Sequence, residues 1–176
     1  MSLRHAWIIA KKDLKSIIRR KVVLYTTVAL PLIIGVVLPV IIEFGGRRSG
    51  GFPAAALPQF LGAFAFLFVI IPAIIPTPIA SYSIVGEKVE KSLEPLLATP
   101  VADGDILLGK SIAAFLPAML ATFVGATVFM TLMDLVTADK LGYLYFPNWS
   151  MGVILLILAP LAALLRIEVS VLAPSR

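Results

Sequence analysis

The sequence contains no cysteine, and its 176 residues include a single histidine, His5. Disulfide bonds, thiol nucleophiles and cysteine-ligated metals are therefore excluded, and one imidazole cannot form a histidine-based metal site. Charged residues are also scarce, at 14% of the chain, against about 25% in ordinary soluble domains. Hydrophobic residues reach 60%, and the mean hydropathy is +1.01. Since a soluble fold of this composition would expose large apolar surfaces, the sequence indicates an integral membrane protein.

The positive charge is concentrated at the N-terminus. Seven of the 15 Lys and Arg residues lie in the first 21 positions, directly before the uncharged run 22–42. As a helix, that run would span roughly 30 Å, the thickness of a hydrocarbon core. The basic cluster is predicted to stay on the cytoplasmic side. Attraction to anionic lipid headgroups accounts for the net charge of +5, so we do not expect nucleic acid as a partner.

The uncharged stretches predict four transmembrane helices, at about 22–42, 58–81, 111–133 and 150–172. One span in the second stretch leaves 12 Lys and Arg residues on the cytoplasmic side and three outside, whereas two spans there would give eight and seven. A single span keeps the excess of Lys and Arg residues on the cytoplasmic side, and it places both termini in the cytoplasm. The stretches lack the alternation of barrel strands, so the predicted fold class is all-α.

The basic leader has the pattern of an amphipathic helix. Lys11, Lys12, Lys15 and Arg19 lie largely opposite a set of apolar residues at helical spacing: Leu3, Trp7, Ala10, Leu14, Ile17 and Ile18. This predicts an interface helix over residues 1–21, followed by a transmembrane domain over residues 22–176. The helix either anchors the topology alone or transmits force into the first span.

A charged segment, residues 86–105, joins the second and third predicted spans. Its apolar helical face consists of Val89, Leu93, Leu96 and Leu97. Pro95 is predicted to break the helix. Residues 87–105 carry five acidic side chains and two lysines. A helix lying on an anionic membrane should instead be basic, so the segment is predicted to dock onto a protein partner.

Residues 104–111 match the phosphate-loop pattern GxxxxGK[ST]. A functional phosphate loop follows a buried strand and contains a flexible turn, and neither is predicted here. We therefore expect no nucleotide site, and we expect Lys110 to extend from the inner end of the third span toward water. The predicted spans also contain no HExxH motif, no paired carboxylates and no Ser–His pair, which disfavours an intramembrane enzyme.

The stretch SYSIVGEKVEKSLEPLLATP over residues 81–100, followed by LLGK over residues 107–110, resembles the permease subunits of the ABC-2 type transporter family. The resemblance covers nearly the whole chain, although Val89 and Ser92 stand where the family usually has Glu and Thr. It implies that segment 86–105 is a coupling loop on a separate ABC ATP-binding subunit. The residues placed in that role are Glu87, Lys88, Glu90, Leu93, Glu94, Leu96, Leu97, Thr99 and Pro100.

The resemblance also implies a multi-pass plasma-membrane exporter subunit that works with a second permease copy, as a homodimer or a heterodimer. ATP would be bound and hydrolysed by the partner, so this chain is expected to be no enzyme and to hold no cofactor or metal. The family looks six-helical, and we therefore expect this chain to be truncated after the fourth helix. The alternative is a non-transporting membrane protein that assembles with or regulates a full-length permease.

Overall fold

The computed structural model describes residues 3–48, 53, 55–75 and 103–172. Within these residues all regular structure is helical, which confirms the all-α prediction. The helices are α1 (Leu3–Arg19), α2 (Lys21–Arg48), α3 (Leu57–Ile74), α4 (Asp103–Leu141), α5 (Trp149–Val153) and α6 (Ala159–Leu172), and a π-helical turn (Ile154–Leu158) joins α5 to α6.

Three of these helices are long and apolar enough to cross a membrane: residues 21–45, 57–74 and 104–141. The fourth predicted span corresponds to α5, the π turn and α6, which include a shorter apolar helix over residues 149–165. The described part of α3 ends at Ile74, so the remainder of the predicted span 58–81 lies outside the described residues.

The helix that contains the third predicted span, 111–133, extends beyond it at both ends. The helix α4 has 39 residues and is about 58 Å long, nearly twice the thickness of a hydrocarbon core. Lys110 and Asp134 bound the uncharged run, but they do not end the helix because helical turns beyond the apolar layer tolerate charge. We call the end formed by α1 and residues 103–110 the α1 end, and the end formed by residues 134–149 the Tyr145 end.

Four prolines of the described spans lie inside continuous helices: Pro31 and Pro39 in α2, Pro72 in α3 and Pro117 in α4. In the π-helical turn between α5 and α6, the backbone N–H of Ala159 donates to the carbonyl of Ile154, five residues earlier. This wider turn directly precedes Pro160. A π turn at a proline accommodates a ring that cannot fit an ordinary α-helical turn.

The helix α4 lies at the centre of the bundle. It contacts α1, α2, α3 and α6. Aromatic rings fill the space near the Tyr145 end, where Phe68 and Phe129 have centroids 5.2 Å apart and Phe129 and Phe146 have centroids 5.5 Å apart. Near the middle of α4, smaller residues of α6 pack against it, with Ala159 and Ala163 buried against Met119.

The contact between α2 and α4 is made by backbone atoms. A Cβ atom added at Gly125 would lie 2.5 Å from Cβ of Pro31 and 2.8 Å from its carbonyl carbon. A Cβ atom at Gly35 would lie 2.7 Å from the carbonyl oxygen of Gly125. Only glycine permits this approach, as is typical of small residues at contacts between membrane helices.

Hydrogen bonds between side chains and backbone groups hold the connection between α4 and α5 in place. One carboxylate oxygen of Asp134 accepts the N–H groups of Tyr145 and Phe146, each at 3.0 Å. The hydroxyl of Tyr145 donates to the carbonyl of Pro58 at 3.1 Å, which ties this connection to the first turn of α3. Because α3 starts at the Tyr145 end and places Phe68 beside Phe129, it runs antiparallel to α4, toward the α1 end.

Candidate functional site at the α1 end

The nine residues predicted to couple to an ATP-binding subunit lie outside the described residues. These are Glu87, Lys88, Glu90, Leu93, Glu94, Leu96, Leu97, Thr99 and Pro100. The described chain stops at Ile75, after α3, and resumes at Asp103, the first residue of α4. The part of the candidate site that the structure does describe is therefore the α1 end, where α4 begins.

At this end α1 packs tightly on α4. A Cβ atom at Gly109 would lie 2.7 Å from the carbonyl oxygen of Ala6 and 2.8 Å from Cβ of Ile9. Ala10 of α1 and Ala113 of α4 are also buried. The absence of a side chain at Gly109 allows the two helices to touch, so a bulkier residue there would separate them.

A buried ion pair accompanies this contact. The ammonium nitrogen of Lys110 lies 3.8 Å from a carboxylate oxygen of Asp13, and the two side chains are only 6% and 10% exposed. Burial of either charge without a counter-charge is costly, so the pair favours the packing of α1 on α4. The expectation that Lys110 extends toward water was therefore wrong, because α1 covers it.

Asp105 also differs from its sequence-based interpretation. It counted among the five acidic residues of an exposed docking segment, but its side chain is only 3% exposed. The α-helix has already begun at Asp103, and Asp105 lies in its first turn, among residues packed within the protein. The acidic surface predicted for the segment therefore does not include Asp105.

The phosphate-loop pattern at 104–111 has helical geometry. All eight residues lie within α4, so their backbone N–H groups do not converge on a common point as they do in a phosphate loop. The hydroxyl of Ser111 donates to the carbonyl of Leu107 at 2.9 Å. The structure thus agrees with the sequence-based rejection of this motif.

The predicted amphipathic helix is confirmed as α1, but its apolar face is divided. Ala10 is buried against the bundle, and Ile17 packs against the hydrophobic core. Trp7 and Ile18 instead remain more than half exposed. Sequence periodicity did not reveal this division because the partner residues on α4 are distant in sequence.

The described spans contain few polar side chains, and their hydroxyl groups bond to their own helices. Each threonine of α2 and α4 donates to a carbonyl three or four residues earlier: Thr26, Thr27, Thr122, Thr127, Thr131 and Thr137. Among the described residues there is no group of three or more His, Asp or Glu side chains that could hold a metal ion.

Comparison with known proteins identifies the family. A family profile described as "ABC-2 family transporter protein" matches residues 7–176. The chain belongs to the ABC-2 transporter family. Its helices fit this membership, since several of them are long and apolar enough to span a bilayer. We therefore describe the chain as a multi-pass membrane protein of this family.

A curated relative supports the same family. The chain is 29% identical over 151 residues to a protein described as "Probable ABC transporter permease protein NosY", from Stutzerimonas stutzeri. The aligned region covers 85% of this chain and 52% of the relative. This ABC-2 chain therefore spans about half the length of the curated relative that it matches.

Proposed function

We propose that this ABC-2 chain is the permease subunit of an ATP-driven exporter and that segment 86–105 contacts a separate ATP-binding subunit. The proposal depends on one observation: the segment that resembles the family's coupling motif leads directly into the end of α4 that α1 covers. Family membership supports an ATP-binding partner. We assign ATP binding and hydrolysis to that partner, with no cofactor or catalytic residue in this chain.

The proposed mechanism is mechanical. The helix α4 is continuous for 39 residues, and it contacts α1 closely at Gly109 and α2 closely at Gly125. A force applied before Asp103 therefore acts on three helices together, because α4 cannot shift without displacing both neighbours. Closure of the ATP-binding subunits would tilt these helices and change the path between two permease copies.

The proposed topology places both termini and segment 86–105 in the cytoplasm of a cell whose plasma membrane holds the protein. The exposed cations at the α1 end support it: Lys11, Lys12, Lys15 and Arg19. Residues 134–149 at the Tyr145 end contain a single Lys or Arg residue, the exposed Lys140. This distribution follows the positive-inside rule.

A second permease copy, identical or related, would pack beside the described bundle. The surface of α4 that no described helix covers carries Leu120, Val124 and Leu135, and exposed threonines lie between them at 127 and 131. The outer surface of α2 is similarly apolar, with Ile33, Val37 and Ile41 exposed. Such apolar surfaces can contact either lipid or another permease. In the proposed dimer, part of the outer surface of α2 or α4 contacts the second copy.

The coupling segment can be tested with a double substitution, Leu96→Asp and Leu97→Asp, made in the full chain expressed with its ATP-binding subunit. Because two apolar contacts would be replaced by charges, we expect co-purification and permease-dependent ATPase stimulation to fall by roughly tenfold or more. The matched control is Leu144→Asp, since Leu144 is exposed at the opposite end of the bundle. Membrane insertion should be unchanged in both variants.

Unchanged co-purification and stimulation in the double variant would contradict the proposed coupling role. If the wild-type chain binds a permease or an ATP-binding subunit but no transport occurs in reconstituted vesicles, the alternative role as a non-transporting regulator is favoured. Substrate uptake into inverted vesicles also tests the export direction.

Topology can be tested independently because the chain has no cysteine. Single substitutions Ser92→Cys and Tyr143→Cys introduce one thiol in the coupling segment and one at the Tyr145 end. An impermeant maleimide should label Ser92→Cys only from the cytoplasmic side and Tyr143→Cys only from the outside. Labelling of Ser92→Cys from the outside would overturn both the topology and the coupling proposal.

A further inference from the structure

The side of α1 that faces away from α4 forms a second surface with a distinct composition. We define it as the basic face: Trp7, Ile8, Lys11, Lys12, Lys15, Ile18 and Arg19, all exposed. We propose that the basic face binds the headgroups of anionic phospholipids and thereby links membrane surface charge to the position of α4. This inference goes beyond the coupling role and does not depend on it.

The exposed charge of this face has a single sign. Before Glu43 the chain has one acidic residue, Asp13. Asp13 is buried beside Lys110, so its negative charge is directed into the contact with α4 and away from the basic face. Four exposed cations therefore act together, and each cation near an anionic membrane surface contributes favourably to lipid attraction.

The apolar members of the basic face favour a lipid surface over bulk water. Trp7 and Ile8 are each 58% exposed, and Ile18 is 53% exposed. Tryptophan concentrates at the boundary between headgroups and acyl chains, where its ring has both an apolar surface and a polar N–H group. A helix that combines such residues with lysines is typical of interfacial membrane binding.

The connection of α1 to α2 keeps this face next to the N-terminal end of the first predicted span. Only Arg20 separates α1 from α2, and its N–H group donates to the carbonyl of Ser16 at 3.2 Å while its own carbonyl accepts the N–H of Leu24 at 3.1 Å. The helix therefore remains attached to the base of the first span. Its contacts with α4 also converge on Gly109 and Lys110, immediately before the predicted start of the third span.

Because α1 would contact α4 on one side and lipid on the other, lipid binding would affect the position of α4. One side of α1 is held on α4 by the contact at Gly109 and the pair Asp13–Lys110. The other side carries the cations that headgroups attract. Anionic lipid consequently favours the position of α4 in which α1 lies against the membrane, and a neutral membrane removes that preference.

The two tryptophans of the chain allow this proposal to be tested inside one molecule. Trp7 lies on the basic face, and Trp149 is 92% exposed at the Tyr145 end. The full chain with Trp149→Phe retains only the Trp7 signal, and the chain with Trp7→Phe retains only Trp149. Each variant is reconstituted in vesicles of phosphatidylcholine and phosphatidylglycerol. In one preparation the phosphatidylcholine carries brominated acyl chains, which quench fluorescence, and in the other the phosphatidylglycerol carries them.

We expect brominated phosphatidylglycerol to quench Trp7 roughly twofold or more beyond its share of the lipid. Quenching of Trp149 should follow the share of each lipid. The triple substitution Lys11→Gln, Lys15→Gln and Arg19→Gln should remove the preference at Trp7, whereas Lys140→Gln, the matched control, should leave it intact. Salt at about 1 M, where the Debye length is about 3 Å, should weaken the preference.

Two results would overturn the proposal. In the first, both lipids quench Trp7 in proportion to their amounts, or the triple variant keeps the wild-type preference. In the second, neither lipid quenches Trp7 and its emission changes only when the ATP-binding subunit is added, which would assign the face to a protein partner. No readout involves transport or ATP hydrolysis, so failure here is distinguishable from failure of the coupling proposal.

Discussion

Replacement of Gly125 with alanine directly tests the central contact of the fold. The new Cβ atom would lie 2.5 Å from Cβ of Pro31 and 2.8 Å from the carbonyl carbon and oxygen of the same residue. Carbon atoms in contact prefer separations of about 3.5–4.0 Å, so one helix must move by roughly 1 Å. Backbone atoms cannot rotate away as a side chain can. We therefore expect the free energy of unfolding to fall by about 1–3 kcal/mol, the usual cost of overpacking.

The matched control is Gly62→Ala in α3. A Cβ atom there would have no heavy atom within 4 Å, and alanine is a better helix former than glycine. Unfolding of both variants in mixed micelles, induced by increasing dodecyl sulfate and followed by tryptophan fluorescence, measures the difference. If Gly125→Ala unfolds at the same dodecyl sulfate fraction as Gly62→Ala, the backbone contact between α2 and α4 is not present in the protein.

Further predictions concern the Tyr145 end. The change Asp134→Ala removes the acceptor of two backbone N–H groups and should lower the unfolding free energy by about 1–3 kcal/mol, whereas Asp134→Asn keeps one acceptor oxygen and should cost less. A larger loss for the asparagine variant in the same micelle assay would contradict this account. The change Tyr145→Phe removes the hydrogen bond to Pro58 and should cost about 0.5–1.5 kcal/mol. Asn148→Ala removes the side-chain cap on the N–H of Met151 and should cost about 0.5–2 kcal/mol, and a wild-type transition would argue against the cap.

The sequence was sufficient to predict the class of the fold and the approximate order of its spans. Long uncharged runs and the basic leader carry that information locally, since a helix must satisfy its own backbone in lipid. The ends of α4 could not be predicted in the same way. Charges at Lys110 and Asp134 mark the limits of the apolar layer, but a helix can continue through them into another environment.

The contacts at the α1 end could not be predicted from local pattern. Asp13 looked like one polar residue in a basic helix, and Lys110 looked like a residue at the end of a span. Their pairing depends on the crossing of α1 over Gly109, which no periodicity encodes. The close contact at Gly125 is equally non-local, since its partners Pro31 and Gly35 lie on another helix. The nine predicted coupling residues remain a prediction.

The threonines of the described spans also limit the hydrogen bonds that the surfaces of α2 and α4 can offer to another molecule. The hydrogen of each of these hydroxyl groups is donated to a carbonyl of its own helix, so the group can offer an outside molecule only a lone pair on oxygen. Thr127 and Thr131 are exposed on one side of α4 and are four residues apart. With these bonds in place, that side of α4 accepts hydrogen bonds from ammonium, amide or hydroxyl groups, and a Thr hydroxyl must first give up its bond to the helix before it can donate to a carboxylate or a phosphate.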